Sequence, residues 1–150
     1  MPQSLSNVLV HQIFSTKHRF PLIDADIEPE LYAYMISVFS SCGNYVHKIG
    51  GVADHVHVFC TLPRILSISD LFEKVKKTSS KWIKIKGPKY RDFSWQAGYG
   101  VFSVSASLLD VVATYIANQK EHHKKLTFQD EYREFLRLHK IPYDERYLWD

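Results

Sequence analysis

Two histidines one residue apart are the first candidates for chemistry in this sequence. They are His55 and His57, in the stretch ADHVHVF at residues 53–59. On a β-strand, alternate side chains share a face and lie roughly 7 Å apart, so the two imidazoles could converge on one ion while Val56 and Val58 point into a core. The simpler interpretation is two histidines on a solvated strand face, since the pattern also arises by chance in a chain with eight histidines.

A second pair of polar groups occurs in ATYIANQKEHH, residues 113–123. Tyr115 and Gln119 are four residues apart, so a helix would present the phenol and the amide on one face. The alternative is that Tyr115 is a core aromatic residue beside Ile116 and that Gln119 lies on the solvated surface. The spacing therefore leaves both a site and a packing role open for this pair.

Zinc is a competing interpretation of the same residues. The ligands would be His55, His57 and either His122 or His123. Cys60 stands at an odd spacing from the histidine pair, which turns it to the other strand face. With only two cysteines and no Cys-x-x-Cys spacing, the sequence argues against a thiolate zinc site or a disulfide scaffold.

The elements that must position these residues follow from hydrophobic periodicity. The pattern predicts strands at residues 5–14, 45–51, 54–62 and 99–106, and helices at 26–39, 67–86, 108–124 and 128–140. Gly50 and Gly51 are expected to join the second and third strands as a hairpin, and Ser67 or Ser69 to cap the second helix. This order predicts an α+β fold with a ferredoxin-like split β-α-β pattern, an antiparallel sheet with helices on one face.

Length and composition limit the class of protein. A chain of 150 residues that is 45% hydrophobic is expected to form a single domain over residues 1–150. The formal charge of +3 is only mildly basic, so a nucleic-acid role depends on where the charge clusters. The absence of a signal-like or membrane-spanning apolar run leads us to expect a soluble intracellular protein.

Basic residues recur at helical spacing in KVKKTSSKWIKIKGPKYR. The spacings of three and four predict one charged stripe that could follow phosphates, formed by Lys74, Lys77, Lys81 and Lys84. Lys17 and Arg19 form a smaller cluster. An ordinary solvated helix face is an equally good interpretation, and a basic amphipathic helix could also contact a membrane or a partner.

Several segments together resemble a known family. DHVHVF, YIANQKEHH, WQAGYGVFSVS, HQIFSTKHRFP and IPYDERYLWD are all similar to segments of the single-tyrosine HUH transposases of the insertion sequence 200/605 type. The resemblance implies that His55 and His57 are the two histidines of the HUH motif. It further implies that Tyr115 is the nucleophile and Gln119 the third metal ligand. All four of these positions match.

The resemblance also implies partners. Members of this family act as homodimers on single-stranded DNA with hairpins near the ends of the element, and the helix that carries the tyrosine docks against the partner's histidines. We therefore expect a homodimer with shared active sites, although the sequence equally permits a site made within one chain. We also expect no membrane partner, and action at the nucleoid in the cytoplasm of a bacterial or archaeal cell.

The chemistry of the residue types suits this role. A tyrosine with a pKa near 10 is a poor nucleophile at neutral pH, so it needs a polarised phosphodiester or a nearby base. Two imidazoles and an amide oxygen could hold a divalent cation, Mg²⁺ or Mn²⁺, and Mn²⁺ tolerates imidazole better.

The competing functions are a hairpin DNA or RNA binding protein, as in a domesticated transposase, and a metal hydrolase that uses water. The first needs none of these four residues, and the second does not need Tyr115.

Overall fold

A computed structural model of the chain describes residues 2–150. Within this range the four strands are β1 (Leu9–Ser15), β2 (Val46–Val52), β3 (His55–Thr61) and β4 (Gly100–Val104). The helices are α1 (Glu28–Ser41), α2 (Ile68–Lys84), α3 (Leu109–Ala117), α4 (Gln119–His122) and α5 (Phe128–Leu138). In the part of the chain described, no helix combines the length and apolar character that crossing a membrane requires.

The strands form one antiparallel sheet in the order β2-β3-β1-β4. The two central strands place Ile13 opposite His57, and Ser15 opposite His55. The predicted α+β fold with its split β-α-β order is confirmed, because β1, α1, β2 and then β3, α2, β4 interleave to give this strand order.

Helices cover both faces of the sheet. The first face packs against α1 and α2 through a core that includes Phe14, Val58, Met35 and Val75. The expectation of helices on one face therefore holds for α1 and α2, whereas α3 and α5 cover the opposite face. The reason is that β1 is buried at every position, and a strand buried on both sides needs cover on both.

Two predicted boundaries differ in the structure. The hairpin between β2 and β3 turns at Ala53 and Asp54, and Gly50 and Gly51 lie inside β2. The helix predicted at residues 108–124 is interrupted at Asn118, which separates α3 from α4. The predicted cap of α2 is present, since the Ser67 hydroxyl accepts a hydrogen bond from the backbone N–H of Asp70.

Candidate active site

The histidine pair lies on the sheet face that α3 and α5 cover. His55 and His57 are fully buried, while Val56 and Val58 point into the core on the opposite face. The two imidazole centroids are 5.1 Å apart. The solvated strand face considered from the sequence is therefore wrong, and burial of two polar rings calls for polar partners.

Helix α3 reaches this pair because β2 allows a close approach. A Cβ atom at Gly50 would lie 2.6 Å from the backbone carbonyl oxygen of Ile116, so only a glycine lets α3 pack this tightly. The ring of Tyr115 lies 6.0 Å from that of His57, centroid to centroid. Gln119 is buried, and its Oε1 atom lies 3.2 Å from Nε2 of His55. The four residues implied by the resemblance thus meet within one chain.

A carboxylate from α5 lies at the centre of this group. Oε1 of Glu131 is 2.9 Å from Nε2 of His57, 3.3 Å from Nε2 of His55 and 3.0 Å from Nε2 of His123. Its Oε2 accepts hydrogen bonds from the Tyr115 hydroxyl and from Nε2 of Gln119. Glu131 was not identified from the sequence, although it is a charged residue within the apolar stripe of α5.

Burial and hydrogen bonding set the charges of the cluster. Burial alone would raise the pKa of Glu131, but hydrogen bonds from His123, His55 and His57 hold that pKa well below its usual range. Burial lowers the pKa of His57 to about 4, despite its hydrogen bond to Glu131. At neutral pH the cluster therefore contains an anionic carboxylate beside a neutral His57 imidazole.

The pKa values of His55 and Tyr115 respond to the same carboxylate. Burial lowers the pKa of His55, but its hydrogen bonds to Asp54 and Glu131 outweigh burial, and the net shift is upward. Burial, together with the hydrogen bond to Glu131, raises the pKa of the Tyr115 phenol above its ordinary value. Tyr115 is therefore a protonated phenol near pH 7 and needs activation to react as a nucleophile.

The donor atoms fit a divalent cation. One ligand atom from each of His55, His57, His123 and Glu131 can be chosen so that all lie within 4.8 Å of one another. Imidazole nitrogen and carboxylate oxygen are ordinary ligands of divalent transition metals. Of the two histidines considered as the third zinc ligand, His123 joins this group, whereas the His122 ring stacks on Tyr115 with centroids 4.7 Å apart.

Outer groups orient the histidine rings. Oδ1 of Asp54 lies 2.7 Å from Nδ1 of His55, and Nε2 of His11 lies 2.7 Å from Nδ1 of His57. In both rings Nδ1 is engaged and Nε2 faces the cluster, the arrangement in which outer partners orient metal-ligating histidines. Cys60 lies in the core on the opposite face, as its spacing predicted.

The residues suggested for DNA binding lie away from this cluster. The lysine stripe is exposed on α2, across the sheet from the histidines, and consists of Lys74, Lys77, Lys81 and Lys84. Lys17 is exposed just beyond β1, and the Arg19 guanidinium lies 5.7 Å from the centroid of the Trp149 ring. The structure therefore brings together the four candidate chemical residues and leaves the six basic ones outside.

A cleft opens beside the cluster instead. Its volume is about 780 Å³, and Asp54, His123 and Phe128 contribute to its walls. Lys120, Lys124 and Lys125 also line it. These lysines belong to the segment after Gln119 and were not selected from the sequence, because they do not form a regular stripe on a long helix.

Comparison with known proteins places the chain in a family. Residues 4–119 match the family model described as Transposase IS200 like, and this segment is more than half of the chain. The chain therefore belongs to the IS200-like transposase family, which confirms the resemblance recognised in the sequence. His123 and Glu131 lie beyond the matched segment.

Two solved structures share the fold. A candidate transposase from Deinococcus radiodurans R1 is 20% identical, with a TM-score of 0.61 over 79% of this chain and 98% of that one. A REP-associated tyrosine transposase bound to a REP hairpin is 15% identical, with a TM-score of 0.58 over 84% of this chain and 76% of that one. Among curated proteins, none matches the chain.

Proposed function

We propose that this protein is a transposase that binds hairpins in single-stranded DNA and cleaves and rejoins strands through a 5′-phosphotyrosine intermediate, with a divalent metal. The observation that carries the proposal is the meeting of Tyr115 with His55, His57 and Gln119 in one cluster, since a phenol beside a metal-binding group is the arrangement that tyrosine attack on a phosphodiester requires.

His55, His57 and Gln119 are proposed to hold the metal, which is Mg²⁺ or Mn²⁺. When bound, a divalent cation polarises the phosphodiester and offsets the charge that develops on its oxygens. The imidazole donors favour Mn²⁺ over Mg²⁺, which prefers oxygen ligands and retained waters.

Tyr115 supplies the nucleophile in the proposed reaction. Its phenolic oxygen forms a bond to phosphorus and gives up its proton, while the bond from phosphorus to the 3′ oxygen breaks. The products are a 5′-phosphotyrosine and a strand with a free 3′-hydroxyl. Attack by a 3′-hydroxyl on the phosphotyrosine reverses these bond changes and joins a strand without nucleotide hydrolysis.

Basic residues outside the cluster are proposed to bind the DNA. The stripe of Lys74, Lys77, Lys81 and Lys84, with Lys17 and Arg19, offers cations to phosphates along a strand. A hairpin partner is supported by the structural neighbour that was solved with a REP hairpin. The proposed setting is the nucleoid, in the cytoplasm of a bacterial or archaeal cell.

The assembly proposed here differs from the shared active sites implied by the resemblance. The Tyr115 hydroxyl donates a hydrogen bond to Glu131 of its own chain, and its ring lies beside His57 of the same chain. We therefore propose that each chain carries a complete site, and that a homodimer, where it forms, joins two complete sites.

An adduct assay tests the proposed reaction. Labelled single strands copied from the DNA on either side of the gene are incubated with the protein and Mn²⁺, then denatured in detergent. We expect label to remain attached to the protein with Mn²⁺ and not with a chelator. Hairpin binding without any adduct would favour the alternative of a hairpin-binding protein, and cleavage without an adduct would favour a hydrolase.

A further inference from the structure

The carboxylate of Glu131 faces two groups at once. Its Oε1 atom is within 3.3 Å of Nε2 of His55, His57 and His123. Its Oε2 atom accepts a hydrogen bond from the Tyr115 hydroxyl. One side chain therefore contacts both the candidate metal ligands and the candidate nucleophile.

The buried position of Glu131 is unusual for a carboxylate and calls for partners that offset burial. The residue is 2% exposed, on a helix whose other buried positions are Phe128, Tyr132 and Leu136. A carboxylate buried among aromatic and aliphatic side chains is strongly unfavourable unless it is paired or binds a metal. Oε1 of Glu131 faces three imidazole Nε2 atoms at once, so a cation shared by these four donor atoms is a partner that fits this arrangement.

We propose that Glu131 is a catalytic residue that binds the divalent cation through Oε1 and holds the Tyr115 hydroxyl through Oε2. This inference rests on the proposed function and adds a charged ligand to it. Binding of the cation would then fix the nucleophile and the metal relative to each other through a single carboxylate.

The spacing of the donor atoms supports direct ligation. Atoms that share one ion at bond lengths of about 2.1 Å lie roughly 3 to 3.5 Å apart. Oε1 of Glu131 lies 2.9 Å from Nε2 of His57 and 3.0 Å from Nε2 of His123, so a small outward shift of the ligands would admit an ion.

The ligand chemistry also narrows the metal. His55, His57 and His123 supply nitrogen, and Glu131 supplies a negative charge that the imidazoles and the Gln119 amide lack. Nitrogen-rich sites select transition metals such as Mn²⁺ or Zn²⁺ over Mg²⁺. We therefore expect Mn²⁺ to remain bound in an excess of Mg²⁺.

Calorimetric titration of the metal-free full-length chain with Mn²⁺ tests the proposal without requiring a DNA substrate. Glu131→Gln keeps the shape and removes the charge. Loss of outer partners of a metal ligand lowers affinity by about 10- to 100-fold, so loss of a charged ligand should lower it by about 100-fold or more. Glu134→Gln is the matched control, because Glu134 is exposed on the same helix and pairs with Arg137. It should bind Mn²⁺ as the unaltered chain does.

Each outcome separates this proposal from the proposed function. Wild-type affinity in Glu131→Gln, with binding lost in His57→Ala, would overturn the role of Glu131 and leave the metal site in place. Failure of the unaltered chain to bind Mn²⁺ would overturn both. If Glu131→Gln does not fold, Glu131→Asp keeps the charge on a shorter side chain, and unchanged affinity in that variant would also contradict direct ligation.

A second measurement tests the contact with the nucleophile. Tyr115→Phe should bind Mn²⁺ nearly as the unaltered chain does, because the phenol is not a proposed ligand. Glu131→Ala at saturating Mn²⁺ should form the DNA adduct only slowly, because the Tyr115 hydroxyl then has no carboxylate to hold it. Full adduct formation by Glu131→Ala at saturating Mn²⁺ would overturn this part of the proposal.

Discussion

Nε2 of His11 lies 2.7 Å from Nδ1 of His57, which joins two buried imidazoles on the neighbouring strands β1 and β3. Burial lowers the pKa of both rings, so both are neutral near pH 7. When Nε2–H of neutral His57 donates to Glu131, Nδ1 of His57 accepts from His11. When Nε2 instead binds a cation, Nδ1 carries the hydrogen and donates to His11. His11 is thus a positioning residue for the candidate metal site.

The first prediction concerns His11→Ala. Removing the His11 imidazole leaves Nδ1 of His57 without a hydrogen-bond partner in the core, which should cost about 1–3 kcal/mol of stability. Loss of an outer partner should also lower Mn²⁺ affinity by about 10- to 100-fold, measured by calorimetric titration. Excess Mn²⁺ should restore adduct formation in this variant. If the defect were purely structural, added Mn²⁺ would not restore it. His139→Ala is the control, because His139 is exposed and lies outside the cluster. Unchanged Mn²⁺ affinity in His11→Ala would contradict the positioning role.

The second prediction concerns Tyr115→Phe. This variant should lose the covalent adduct and keep its affinity for hairpin DNA, because one hydroxyl contributes chemistry and little binding. Adduct formation is read after denaturation, and affinity from a fluorescence titration. Tyr45→Phe serves as the control, since Tyr45 is 65% exposed. Full adduct formation by Tyr115→Phe would exclude Tyr115 as the nucleophile.

The third prediction concerns the lysine stripe on α2. Replacing Lys77 and Lys81 with Ala should weaken binding of all single strands and reduce the slope of log affinity against log salt by up to about 0.7 for each phosphate that the protein no longer neutralises. Lys48→Ala, an exposed lysine on β2, is the control. An unchanged slope in the double variant would place the DNA path elsewhere, and the cleft with Lys124 and Lys125 would then be the next surface to alter.

The fourth prediction concerns assembly. His57→Ala and Tyr115→Phe chains with different tags are produced together, and species that contain both are isolated. Because each site is proposed to form within one chain, every site carries one lesion, and no adduct should form. Recovery of adduct formation in a verified heterodimer would instead show that Tyr115 of one chain attacks DNA at a site completed by the histidines of the other chain.

Residues that share one local element could be paired from the sequence. His55 and His57 share a strand face, and Tyr115 and Gln119 a helix face, because the repeats of strand and helix fix these relations. Glu131 and His11 could not be added in this way. They join the site through packing of β1 and α5 against β3, which depends on contacts between distant segments.

The features that were mispredicted from the sequence are local patterns that tertiary packing also explains. Gly50 suggested a turn, but its role is the close approach of Ile116. The fully buried β1 and the nearly fully buried β3 reflect cover on both sheet faces, which their local residue pattern did not reveal. The spacing of the lysines correctly predicts that they lie on the exposed side of α2. It does not predict which face of the sheet α2 covers.

Covalent attachment of DNA to Tyr115 is the step on which the proposed function depends, and mass spectrometry of the adduct measures it at the level of the residue. After reaction with Mn²⁺, the protein is digested with nuclease and trypsin. The tryptic peptide covering residues 92–120 contains Tyr99 as well as Tyr115, so fragmentation of this peptide must locate the added nucleotide. We predict a 5′-linked nucleotide on Tyr115 and none on Tyr99. A nucleotide on any other residue, or cleaved DNA with free 5′-phosphates and no modified peptide, would contradict the proposed function.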